Sequence, residues 1–88
     1  MGWSLRFQID AEKDLVGIDP KTRHQIIKKL DRLIFNFDSV TPLVLTGEFR
    51  DFYKLRVGGW RVFYKVDWKQ HLIIVCYINW RDKAYKHR

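Results

Sequence analysis

The sequence predicts an α+β domain whose helices pack on one face of a mostly antiparallel sheet. Three observations lead there. An alternating apolar run, "WSLRFQI", opens the chain. Apolar residues at helical spacing follow as far as residue 37. Three short strand-like runs separated by turn residues then occupy the second half. At 88 residues the natural count is one domain, spanning 1–88.

In the opening strand Trp3, Leu5, Phe7 and Ile9 face one way, and Ser4, Arg6 and Gln8 the other. Asp10 is placed to cap a short helix over 11–16, which Gly17 would end. The main helix is predicted over 18–37, with Asp19 as N-cap and Pro20 at the first helical position, where a missing N–H costs nothing. Its apolar stripe is Ile26, Ile27, Leu30, Leu33, Ile34 and Phe37. His24 falls on the surface of this helix. A connection with a short extended piece runs to Gly47. The three-strand meander follows over roughly 49–57, 60–67 and 72–79. The run "LIIVCYIN" is apolar on both parities, so this strand is expected inside the sheet, covered on both faces.

The formal net charge is +7. Residues 1–48 hold seven Lys/Arg and seven Asp/Glu, whereas residues 49–88 hold ten Lys/Arg against Asp51, Asp67 and Asp82. Such an excess points to a polyanionic partner, RNA, DNA or an acidic polypeptide, or else to a basic surface kept for solubility. Cys76 is the sole cysteine, so no internal disulfide can form. In its apolar run the thiol is expected to be buried and unreactive. There is no long apolar stretch at the N-terminus and none that could span a bilayer. A cytoplasmic protein without membrane contact is expected.

The stretch "FYKLRVGGWRVFYKV", residues 52–66, carries the functional signal. A two-residue turn at Gly58-Gly59 sets Val57 against Trp60, Arg56 against Arg61, Leu55 against Val62, Lys54 against Phe63 and Tyr53 against Tyr64. Tyr53, Leu55, Val57, Trp60, Val62 and Tyr64 then share the face that packs on the helices. Lys54, Arg56, Arg61, Phe63 and Lys65 share the other. Two arginines directly opposed destabilise a ladder by several tenths of a kcal/mol, roughly. A bound polyanion reverses that sign, which makes the patch a candidate phosphate site. The competing reading is that both guanidinium groups splay into water.

RNA can be cut without metal by turning its own 2′-OH on the adjacent phosphate. The reaction needs a proton acceptor, stabilisation of charge on phosphorus, and a proton for the leaving 5′-oxygen. Clustered cations supply the second role. Arg81, Lys83, Tyr85, Lys86, His87 and Arg88 extend the basic character beyond the last strand, and a tyrosine can stack on a base. The histidines 24, 71 and 87 are scattered, and no acidic cluster has metal-ligand spacing, so no metal or other cofactor is expected. His71 reads as a turn residue. No P-loop, dinucleotide loop or nucleophilic triad pattern occurs.

The segment "LTGEFRDFYKLRVGGWRVFYKV", an apolar strand and then "NWRDKAY" resemble the RelE/ParE superfamily of toxins from type II toxin–antitoxin systems, and the RelE branch most closely. The resemblance implies an RelE-like fold and a metal-independent endoribonuclease that cleaves mRNA in the ribosomal A site, so that ribosome and mRNA are partners. It also implies a cognate acidic antitoxin in a hetero-oligomeric complex. It gives Lys54 the role of candidate base, places Arg56 where relatives carry a second lysine, and makes Arg61 the residue that holds the scissile phosphate. Arg81 would stabilise charge or protonate the leaving group, and Tyr85 would stack on the mRNA base. Lys54, Arg56, Arg61, Phe63, Lys65, Lys83, Lys86, His87 and Arg88 form the expected RNA-binding set. Arg56 departs from the pattern, since an arginine is a poorer proton carrier than a lysine. Two alternatives stay open: a ParE-like inhibitor of DNA gyrase that cuts no RNA, and a basic RNA-binding relative without a competent base.

Overall fold

The structure, a computed structural model, describes residues 2–39, 43–44 and 52–80. The elements run β1 (Ser4–Phe7), α1 (Ile9–Val16), α2 (Pro20–Phe35), a 3₁₀ turn (Phe37–Ser39), β2 (Leu43–Val44), β3 (Tyr53–Val57), β4 (Trp60–Asp67) and β5 (Leu72–Trp80). The strands form one five-stranded sheet in the order β1-β5-β4-β3-β2. The predicted class and element order hold. The short extended piece of the connection pairs as an edge strand, with Leu43 opposite Lys54. β5 lies inside the sheet, as its two-sided apolar character requires. It pairs antiparallel with β4 and parallel with β1.

α1 begins earlier than the sequence predicts. Gln8 is its N-cap, in extended conformation and without a side-chain capping bond, while Asp10 sits in the first turn beside Glu12. Both carboxylates complement the positive end of the helix dipole there. Ile9 therefore starts the helix instead of ending β1, and is 68% exposed. Gly17 ends α1 in ordinary right-handed backbone. α2 follows its signals more closely. The Asp19 carboxylate accepts from the Thr22 N–H at 3.0 Å, with proline at the helix start. Hydrogen bonding from Thr22, its side chain first, holds the Asp19 carboxyl below its usual range. Arg23 locks the corner between the helices by donating to the carbonyls of Leu15 at 3.1 Å and Ile18 at 2.9 Å.

The core lies between the helices and one sheet face. Ile26, Leu30, Leu33 and Phe37 meet Val57, Val62, Tyr64, Ile73, Val75 and Ile78, with Ala11 and Ile18 closing one side. Ile27 and Ile34 flank this stripe, half-buried. Burial pushes the Tyr64 hydroxyl up to about 12, with the Tyr53 ring stacked 5.5 Å away adding to the effect.

Two features of β5 position the functional face. The β4–β5 register slips between Phe63 and Tyr64, so Tyr77 faces Phe63, Val75 faces Tyr64 and Cys76 is the extra residue of a bulge. Past Val75, β1 has turned into α1 and no longer pairs with β5. There the Asp14 carboxylate of α1 accepts from the Ile78 N–H at 2.9 Å, taking the place a strand partner would hold. At the opposite end, Trp3 stacks on His71 at 4.8 Å and meets Phe37 and Trp68, while its indole N–H donates to Asp38. His71 adopts φ 54°, which confirms it as a turn residue.

Candidate nucleic-acid interface

The β3–β4 hairpin has the predicted register: Arg56 faces Arg61, Lys54 faces Phe63 and Tyr53 faces Tyr64. Gly58 takes φ 60°, the left-handed conformation that a tight hairpin turn demands at its first central residue. Arg61 folds back on this turn. One terminal nitrogen donates to the carbonyls of Gly58 and Trp60, both at 3.2 Å. These two bonds anchor the guanidinium at the hairpin tip.

Alternation and register put Lys54, Arg56, Arg61 and Lys65 on the sheet face opposite the helices. Arg56 and Lys65 are exposed and Arg61 is half-buried. Lys54 is 9% exposed, the only charged side chain buried among the described residues. Lys65 sets its ammonium 5.0 Å from the ring centre of Phe52, which in turn lies 5.6 Å from Tyr77. The face is thus a cationic surface over aromatic rings.

Phe63 needs correction as a member of the expected RNA-binding set. It shares the cationic face, directly opposite Lys54 in the ladder, but it is 0% exposed and presents no ring surface to a base. Tyr77 and Asn79 join the same face, opposite Phe63 and Arg61. Simple parity hides both. In an unbroken strand they would align with Ile73 and Val75 in the core, and the bulge at Cys76 puts Ile78 there instead. Their polar atoms, in a run otherwise of aliphatic residues and Cys76, are the available signal. Cys76 is buried, and burial raises its thiol despite the nearby Lys65 charge, as expected of an unreactive cysteine.

Arg81, Lys83, Tyr85, Lys86, His87 and Arg88 lie outside the described residues. The charges of the first half, balanced in number, are unbalanced in space. Gln25, Lys28, Lys29 and Arg32 line an open groove of about 240 Å³ on α2. Because α2 buries its other side against the sheet, this basic surface faces away from the hairpin cations.

The profile of the ParE toxin of type II toxin–antitoxin systems (parDE) matches residues 5–85. No curated protein matches the chain by sequence. Among solved structures, the RelBE2 toxin–antitoxin complex from Mycobacterium tuberculosis superposes with a TM-score of 0.80 at 20% identity, covering 92% of this chain and 100% of that one. A mutant of the E. coli toxin RelE in the free state gives 0.76 at 26% identity, covering 96% and 88%. The archaeal RelE–RelB complex from Pyrococcus horikoshii OT3 gives 0.73 at 24% identity, covering 96% and 100%. No described helix is long and apolar enough to cross a membrane. A profile match over nearly the whole length, on a sheet-and-helix frame shared with RelE structures, makes the chain a member of the ParE toxin family of type II toxin–antitoxin systems, within the RelE/ParE superfamily.

Proposed function

We propose that this toxin is a metal-independent endoribonuclease that cleaves mRNA on the ribosome and so stops translation. The observation that carries the reading is the direct Arg56–Arg61 opposition beside the buried Lys54. Such an arrangement costs the free protein stability and gains when a phosphate lies between the charges. In the reaction the 2′-oxygen bonds to the adjacent phosphorus and the bond to the 5′-oxygen breaks. A 2′,3′-cyclic phosphate and a free 5′-hydroxyl result. Lys54 takes the 2′-OH proton, and Arg56 and Arg61 neutralise the extra charge on phosphorus. By the family resemblance, Arg81 supplies charge or the proton for the leaving oxygen, and Tyr85 stacks on the base. Lys65, Lys83, Lys86, His87 and Arg88 hold the flanking backbone. An acidic antitoxin covers the cationic face when the toxin is neutralised. This fits the related structures, several of which are toxin–antitoxin complexes.

The match to the ParE profile favours a second reading, inhibition of DNA gyrase without RNA cleavage. Primer extension on a translated mRNA separates the two. Codon-internal cuts that fall by about 10²-fold in Arg61→Ala, with Lys54→Ala likewise impaired, support the ribonuclease. Intact mRNA together with lost gyrase supercoiling supports the alternative.

A further inference from the structure

We infer that Trp60 and Trp80 form a stacking subsite for a nucleobase of single-stranded RNA, immediately behind the arginine tip of the hairpin. The inference rests on the cationic hairpin's binding RNA. A cavity of about 270 Å³ lies between the C-terminal end of α1 and the ends of β4 and β5. Trp60, Trp80, Ile78 and Ile18 give it apolar walls, and Lys13, Asp14 and Asn79 line it with polar groups. It falls just below the ~300–1,000 Å³ typical of drug-sized ligands, which leaves it suited to a single aromatic ring system.

Three details distinguish these tryptophans from ordinary core. Trp80 is 41% exposed although it ends an interior strand. Its six-membered ring lies over Gly59, so closely that a Cβ there would come within 2.9 Å even of Cζ2, and Trp60 abuts it edge-on at 5.3 Å. The ring is held from two sides, and a rigid platform loses little freedom when a base stacks on it. Finally, Arg61 is bonded to the carbonyl of Trp60 itself. The guanidinium proposed to hold a phosphate and the aromatic wall are therefore linked through one backbone group. An RNA strand crossing the hairpin tip would lay its phosphate on Arg61 and turn a base behind it, with Lys13 attracting the next stretch of backbone.

The test uses the full-length free toxin and a short 2′-O-methylated RNA, which lacks the attacking hydroxyl, carrying 5-iodouridine at single scanned positions. Ultraviolet cross-links should map to Trp80 or Trp60. Trp80→Ala should weaken binding about tenfold and Trp80→Phe less than about threefold, since stacking needs a ring. Cross-links confined to the Lys54–Lys65 face, or none at all, would overturn the subsite. So would unchanged binding by a folded Trp80→Ala. The cross-linking uses wild-type protein, so a variant that fails to fold does not leave the question open. A wild type that cross-links at Trp80 yet cuts no translated mRNA would keep the subsite and end the ribonuclease reading. One that cuts but never cross-links there would do the reverse.

Discussion

Replacing Arg56 by glutamine should make the free protein more stable while weakening its hold on RNA. The two guanidinium groups stem from directly opposed residues of β3 and β4. Cross-strand pairs are worth ~0.2–1 kcal/mol, and like charges act against the ladder on the same scale. Arg56 is exposed, and Arg61 is drawn back onto the carbonyls of Gly58 and Trp60, so the lower part of that range applies. Relief of about 0.3–0.5 kcal/mol corresponds to a rise in Tm of about 1–4 °C for a domain this size. Glutamine keeps most of the stem and removes only the charge. Thermal unfolding followed by circular dichroism at low salt and near 1 M salt is the assay. At ~1 M the Debye length is about 3 Å, so the gap between variant and wild type should close. In parallel, the salt dependence of binding to single-stranded RNA should lose about 0.7 from its log–log slope, the share of one phosphate contact. A variant less stable at low salt, or a stability gap indifferent to salt, would refute the claim that this pair is held together at a cost.

Two further outcomes probe the frame around the patch. Gly59→Ala should cost about 0.5–1.5 kcal/mol, because the new methyl displaces the exposed Trp80 ring from Trp60 without deforming the core; in urea unfolding the loss should vanish in a Trp80→Ala background, and simple additivity of the two changes would contradict the packing described. Tyr64 should make the fold sensitive to alkali. Its folded value, about 12, exceeds the ordinary 10, so stability is complete below pH 10 and falls by up to roughly 3 kcal/mol as pH rises through 12. Tyr64→Phe should flatten that fall in urea midpoints measured against pH, and an unchanged slope would show that the hydroxyl is not buried as described.

The hairpin was legible in the sequence because its determinants are local. Gly58-Gly59 sets a two-residue turn, the turn sets the register, and the register puts Arg56 opposite Arg61. The helix over Pro20–Phe35 was legible for the same reason, through Asp19, Pro20 and a periodic stripe. What stayed hidden depends on contacts between distant segments. Gln8 displaces Asp10 as the helix cap because β1 remains bonded to β5 as far as the Gln8 N–H, which reaches the Val75 carbonyl at 2.9 Å. The pairing of a two-residue edge strand with β3 has no periodicity to announce it.

The bulge at Cys76 shows why the last part of the site could not be read from alternation. With β1 gone beyond Phe7, the upper half of β5 would have open ladder groups along one edge, and Asp14 answers one of them at Ile78. Inserting one residue below that point reverses the faces above it, so that Ile78 enters the core while Tyr77 and Asn79 turn toward the cations. A shift of one residue in a strand exchanges its two faces entirely. The same irregularity therefore serves burial and the candidate site at once. Removing it would have to expose Ile78 or bury Asn79, and either change costs more than a cross-strand charge pair can return.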